Sequence, residues 1–243
     1  TTVPDFLCGD TDWQDEYFKV GIQQKYDLAI SGGSKDAKFR IAYGHMSNNG
    51  SQIGRNLRRE TLSINSTLTK GVVTFGESLQ AGLTNNYSTA NAALGEVVGM
   101  LPIVPVYDDS AYGKYGYGIG NAERAYTTAH NIIAETQESN GWNKRESLYL
   151  RGNAWAQVKL FDGLTYKINL GANINDNHGR EWSTGVNYAL NFTDQASSAT
   201  STSSRNTTYI LENTLNYDKS FGKHTINAVL GQSYQDSFRS SNT

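Results

Sequence analysis

The chain carries one cysteine, Cys8, in 243 residues. An internal disulfide is therefore impossible, and so is a metal site built from several thiolates. Proline and methionine are nearly as scarce, at three and two. The four histidines, His45, His130, His178 and His224, lie far apart, with no pair at metal-ligand spacing. Neither sign of charge dominates: 21 basic and 23 acidic side chains leave a formal net charge of -2. No general basic field exists to hold a polyphosphate, so nucleic acid is not an expected partner. Charged residues make up only 18%, which excludes a coiled coil and a highly charged disordered chain. No apolar run approaches the ~20 residues of a membrane-spanning helix. The opening residues, 1–10, show no basic stretch followed by an apolar one, so no signal peptide is legible. Hydrophobic residues reach 37%, little for a domain of this length built on one solid core.

Glycine (24), tyrosine (15) and abundant Asn, Ser and Thr fill the space those absences leave. This polar, uncharged, aromatic mixture favours β-structure. The apolar period is two, and it recurs eight times. Segment 25–31 sets Tyr26, Leu28 and Ile30 against Lys25, Asp27 and Ser31. Segments 38–44, 61–69 and 73–84 repeat the pattern, the last with Val73, Phe75, Leu79, Ala81 and Leu83 on one side. Segment 148–160 opposes Leu148, Leu150, Ala154, Ala156 and Val158 to Arg151, Asn153, Trp155 and Gln157. Segment 164–175 opposes Leu164, Tyr166, Ile168 and Leu170 to Lys167, Asn169 and Asn173. Segments 209–218 and 225–234 complete the set. Strands of this length exceed the usual 5–6 residues of soluble sheets and match the roughly 9–11 needed to cross a bilayer at a tilt.

Connections alternate. Those near Gly33, Gly71, Gly163 and Gly222 are tight; those at 45–60, 85–146 and 176–206 are long. Outer-membrane barrels alternate this way because short turns face the periplasm and long loops face outside. A large soluble β-sandwich is the other architecture open to these strands, but it has no reason to keep its long loops at one end. The expected fold is all-β: an antiparallel transmembrane barrel segment of about eight strands with long extracellular loops. Two residues fit badly. Glu77 and Asn213 fall in apolar rows, where a polar group facing lipid is costly unless it sits near an interface or touches other protein. A slip of register there is the remaining option.

The residues also carry a resemblance. Asp12-Trp13-Gln14-Asp15-Glu16-Tyr17-Phe18 precedes Tyr26-Asp27-Leu28-Ala29-Ile30-Ser31-Gly32-Gly33-Ser34. Together they resemble the "TDWQDxxF…xxYxLSxSGGS" stretch of SusC/RagA-type TonB-linked outer-membrane transporters. Pro102 to Asp108 is similar to that family's "PPxxPVYD" loop, and Leu160 to Lys167 to its "LLDGLTFK" turn. The hairpin around Leu211–Tyr217 and Phe221–His224 resembles a later one, and all occur in family order. The resemblance implies residues 1–243 as part of a barrel of about 22 strands, with no plug, TonB box or signal peptide legible. It implies import of oligosaccharide or peptide across the cell outer membrane. The partners it implies are outer-membrane lipid, a SusD-like surface lipoprotein lid, and the TonB complex through an N-terminal region not seen here.

Chemistry is sparse. No nucleophile is assembled by spacing, so an enzyme is not expected, and no cofactor or metal is implied. Gly118-Ile119-Gly120 lacks the context of a nucleotide motif. The long segment 85–146 is the most informative, since loops of that length are usually functional. Residues 90–101 and 121–138 read as helices, the second with a stripe of Ala125, Ala129, Ile132 and Ile133. Between them Tyr107, Asp108, Asp109, Tyr112, Tyr115 and Tyr117 combine aromatic faces with carboxylates, which suits sugars and peptides alike. The same tyrosines could equally hold the loop down or meet a partner. Trp142 and Trp182 are further loop contact candidates. Arg40, Gln80, Arg151, Asn153, Trp155, Lys167 and Asn169 are expected to face the lumen. The low-complexity stretch 195–204 reads as a loop tip. A soluble or surface β-rich adhesin or carbohydrate-binding module is the second functional reading.

Overall fold

A computed structural model of the chain describes residues 9–89, 94–110, 113–120, 127–189 and 193–243. Its strands are β1 (Ile22–Gly33), β2 (Ala37–Asn49), β3 (Arg55–Lys70), β4 (Val73–Thr89), β5 (Gly113–Lys114), β6 (Tyr117–Gly118), β7 (Gly141–Phe161), β8 (Leu164–Ser183), β9 (Ser198–Phe221) and β10 (His224–Asn242). Among the described residues three short helices accompany them: α1 (Trp13–Tyr17), α2 (Leu94–Gly99) and α3 (Ile132–Glu135). The eight long strands form one antiparallel sheet in chain order, β1-β2-β3-β4-β7-β8-β9-β10. The sheet is open, with β1 and β10 at its edges.

All eight strands read from the sequence are present, and every one is longer than its apolar alternation. Segment 209–218 grows into a strand of 24 residues. Ladder hydrogen bonds need only a neighbouring backbone, so pairing continues past the apolar residues through Asn-, Ser- and Thr-rich ends. This corrects the reading of 195–204 as a loop tip. Residues 198–204 belong to β9 and pair with β8, Ser198 opposite Ser183 and Ser204 opposite Asn177. The long connections shrink correspondingly, and 45–60 reduces to 50–54. At the other end Asp162-Gly163 closes β7 onto β8, with Gly163 at φ 87 in the left-handed region that such a two-residue turn requires. The helices are shorter than their patterns: α2 covers six residues of 90–101 and α3 four of 121–138. Residues 90–93 and 121–126, with Ala125, lie outside the described residues.

Register carries the alternation across the sheet. Leu28, Tyr43, Leu62, Ala81, Leu150 and Ile174 pair successively on one face. Arg40, Asn65, Ser78 and Asn153 do so on the other. A soluble sheet buries its apolar face against a second layer. Here that face is bare: Leu28 is 71% exposed and Leu170 56%. Such a face is stable in lipid and not in water. Glu77 and Asn213 lie on it without any slip of register. Each finds a cross-strand donor instead. Ser66 Oγ donates to Glu77 Oε1 at 3.2 Å, and the Tyr166 hydroxyl to Asn213 Oδ1 at 2.6 Å.

The buried core lies at the long-loop end of the sheet. Trp13 and Tyr17 of α1, Val97 and Met100 of α2, and Val104, Val106, Ala129, Ile132 and Ile133 form one cluster. Asp12 caps α1, accepting from the Gln14 and Asp15 amides at 3.0 Å each. Trp13 Nε1 donates to the Leu101 carbonyl at 3.2 Å. The segment around Trp13 therefore folds into a loop cap and takes no part in the wall.

Candidate functional site

The cap is organised by Asn131, which is fully buried. Its Nδ2 donates to the carbonyls of Val106 (2.9 Å) and Gly118 (2.8 Å). Its Oδ1 accepts from the Ala134 amide at 3.1 Å and so caps α3. Its own amide donates to the Tyr188 carbonyl at 3.0 Å. One side chain and its backbone thus join α3, the 104–118 segment and the loop after β8.

The β5–β6 hairpin turns on Tyr115 and Gly116, at φ 52 and 82. Two successive positive φ angles define the tight hairpin turn that asparagine and glycine normally occupy. A tyrosine in the left-handed region costs roughly 1–2 kcal/mol, and its contacts oppose that strain. The Tyr115 hydroxyl donates to Asp194 Oδ2 at 2.8 Å. Lys114 Nζ reaches Asp194 Oδ1 at 2.6 Å and the Asn187 carbonyl at 2.5 Å. Lys114, then the Asn187 amide and the Tyr115 hydroxyl, hold the Asp194 carboxyl down to about 2. The same bond to Asp194 raises the Tyr115 phenol.

Around this tie the rings of Tyr107 and Tyr117 lie 5.4 Å apart, and Tyr188 meets Tyr117 edge-on at 5.3 Å and Tyr115 at 6.3 Å. Tyr188 is buried, while Tyr107 and Tyr115 keep 66% and 65% of their surface open. Asp109 is exposed beside this ring cluster, its Oδ1 next to Gly116. Asp108 is half-buried, and its Oδ1 accepts from the Ser110 amide at 3.0 Å. Tyr112 lies outside the described residues. The structure thus brings Tyr107, Asp108, Asp109, Tyr115 and Tyr117 to one surface. It separates Trp142 and Trp182 from them. Those tryptophans are strand residues, paired with each other across β7 and β8, because both strands run on past the expected loop boundary.

Asn131, Lys114, Tyr188 and Asp194 escaped sequence reading. A tyrosine-alanine pair, Tyr188-Ala189, buried within a polar loop was the available hint of an anchor. The other three are polar residues in polar loops, and only packing distinguishes them.

On the wall, the seven polar candidates share one face. Arg40 lies in the row of Asn65, Ser78 and Asn153, and Gln80 pairs with Arg151. Ser78 Oγ donates to Asn65 Oδ1 at 2.8 Å. Asn153 Nδ2 donates to Asn169 Oδ1 at 3.1 Å, and Asn169 Nδ2 to Glu212 at 2.9 Å. Trp155 lies flat over Gly76, where a β-carbon would fall 2.4 Å from the indole, and Lys167 Nζ sits 4.5 Å from the ring centre. On this face hydrogen bonds link β3 to β4, and β7 through β8 to β9.

A single open antiparallel sheet, bare and apolar on one face, polar on the other, and capped at one end, is the wall of a transmembrane β-barrel. No protein-family model matches the chain. It is 31% identical to TonB-dependent receptor P3 of Formosa agariphila over 93% of its own length. It is 27% identical to TonB-dependent receptor SusC of Bacteroides thetaiotaomicron over 52%. The chain spans 23% of the first receptor and 14% of the second. Among solved structures, the RagAB peptide importer in its closed-closed state superposes with a TM-score of 0.73 at 21% identity. That match covers 96% of this chain and 26% of the other. The open-open state gives 0.72 at 19%. The chain is barrel-wall sequence of the SusC/RagA type of TonB-dependent outer-membrane transporter, and the outer membrane is its location.

Proposed function

We propose that this chain forms part of the wall and outer cap of an importer that takes up an oligopeptide or oligosaccharide. The wall's polar lattice, including Arg40, Gln80, Arg151, Asn153, Trp155, Lys167 and Asn169, lines the lumen. A SusD-like lipoprotein closes over the loop end, and TonB drives release from regions of the protein beyond this chain. The observation that carries the reading is the cap. Its two long loops are tied together by Asp194 and Asn131 and hold Tyr107, Tyr115 and Tyr117 at a fixed, partly open surface. Rigid aromatic faces beside Asp108 and Asp109 can stack on sugar or peptide groups and accept hydrogen bonds, at little entropic cost.

The test uses the full-length receptor. Tyr107→Ala, Tyr115→Ala and Tyr117→Ala are combined, and binding and uptake are measured with defined oligopeptides and oligosaccharides. Loss of affinity for one class, with lid association kept, identifies that class as the cargo. Loss of lid association alone assigns the tyrosines to the partner. Unchanged binding and unchanged lid association would remove them from both roles.

A further inference from the structure

The membrane-facing side of β4, β7 and β8 carries two cavities, one above the other. The lower is a mainly apolar groove of about 690 Å³, floored by Gly152, Ala154 and Ala172 and walled by Leu79, Leu170 and Tyr209, with Glu77 also in its lining. Small side chains in mid-strand, flanked by large ones, leave this depression in the apolar face. The upper is a polar pocket of about 510 Å³ lined by Lys144, Arg180, His178, Glu146, Asn85 and Tyr87, with Asn86 and Arg145 at its edge. Alternation puts Lys144 and Glu146 on the same face as Leu148, and His178 and Arg180 on the same face as Ile174. One row, Leu83-Leu148-Asp176, separates the two cavities.

Height and charge fix what the upper pocket meets. The apolar row of β7 runs from Leu148 to Leu160, about 40 Å of strand and about 28 Å of height at a 45° tilt, which matches the hydrocarbon layer. Lys144, four residues beyond Leu148, stands about 9 Å above that layer, among the headgroups. It pairs across the ladder with both Tyr87 and Arg180. Among the described residues neither Lys144 nor Arg180 has a carboxylate partner. Asp176, the acid below them, is already engaged by Arg205 at 2.5 Å and His178 at 3.3 Å. Glu146, opposite His178, is the acid in the pocket lining, and Glu138 reaches its rim by accepting a hydrogen bond from the Tyr87 hydroxyl. Lys144 Nζ lies 4.4 Å from the Trp142 ring centre and 5.4 Å from that of Tyr87, so an aromatic wall stands beside the cations.

We infer that this face binds a phosphorylated glycolipid of the outer leaflet. Its phosphate lies between Lys144 and Arg180, its sugar against Tyr87 and Trp142, and an acyl chain in the groove below. Basic pockets at the membrane interface bind anionic headgroups in this way. The inference rests on the apolar face pointing into lipid, and is independent of which cargo the lumen carries.

The test takes the full-length receptor in detergent and titrates it with phosphorylated lipid A, dephosphorylated lipid A and inorganic phosphate, reading bound lipid by native mass spectrometry. Phosphorylated lipid A should bind, and K144A/R180A should weaken it about thirtyfold. Ala172→Phe, which fills the groove without altering charge, should weaken it as well. Lys35→Ala, at the opposite end of the sheet, should leave it unchanged. Competition by millimolar inorganic phosphate alone would identify a simple anion site and overturn the lipid assignment. Equal binding of dephosphorylated lipid A, or equal loss in Lys35→Ala, would overturn it too. Heat-modifiable gel mobility, retained in every variant, separates such a failure from failure of the barrel itself.

Discussion

Replacing Asn131 should open the loop cap while leaving the wall intact. In Asn131→Leu the Gly118 carbonyl loses its buried donor, the Val106 carbonyl is left with the Gly118 amide alone, and α3 loses its cap. A stranded buried carbonyl costs about 1–3 kcal/mol, and a lost N-cap about 1 kcal/mol. Some of each penalty is recovered where water reaches the relaxed loop. About 3 kcal/mol on cap opening is therefore the expected effect, or roughly a hundredfold rise in the open population. Leucine's apolar bulk cannot offset this, because the site is built around two carbonyls. Asn131→Asp makes a second variant: it keeps the capping oxygen but sets a carboxylate against both carbonyls, so it should open the cap as well. The assay is amide exchange by mass spectrometry on the full-length receptor. Protection should fall across residues 94–110, 113–120, 127–140 and 184–189 and persist in β3, β4, β7 and β8. Protection unchanged within threefold in both variants would refute the placement of Asn131 as the joint of the cap. Equal loss throughout the strands would refute the separation of cap from wall.

Three further outcomes follow from the geometry. The Asp194 tie should be acid-labile: a carboxyl held at about 2 in the docked state against an ordinary 3.8 stabilises docking fully above 3.8, and that contribution drains away as pH falls toward 2. Pepsin cleavage within 184–197 should accelerate through that window in the native receptor, whereas Asp194→Asn should be cleaved quickly with no such step. Gly76→Val should drive a side chain into the Trp155 ring and lower stability by about 1–3 kcal/mol; an unchanged unfolding midpoint would show that Trp155 does not lie there. Glu77→Leu should raise the unfolding free energy of the receptor in lipid vesicles by about 1 kcal/mol and its midpoint with it, because a carboxyl on the lipid face is replaced by an alkyl chain. A lower midpoint would mean that its bond to Ser66 outweighs the lipid penalty.

The wall was legible because its signal is local. A period of two over Leu148–Leu160 or Leu164–Ile174 assigns each residue to a face before any partner strand is known, and the seven polar candidates from Arg40 to Asn169 accordingly share one side. The ends of the strands were not legible. Ser198–Ser204 has no apolar alternation to mark it, and it is a strand because β8 lies beside all of it and the end of β10 beside Ser203 and Ser204. The same extension moved Trp142 and Trp182 out of the loops. The tyrosine loop was identified as a feature, but its anchors were not, since Asp194 lies about eighty residues from Lys114 and nothing in either neighbourhood names the other.

Composition and period by themselves determined that this chain makes long antiparallel strands with one apolar and one polar face, because side-chain alternation is a property of the extended backbone. They determined too that the apolar residues suffice to cover a lipid-facing wall and not to fill a solid core. Tertiary structure alone decided how far the ladders run, that the Trp13 segment joins residues 97–106 and 129–133 in a separate core, and that one asparagine and one aspartate hold the loops in place. Each of these depends on backbone groups and buried polar partners from distant parts of the chain, whose free energy exists only once those parts have met.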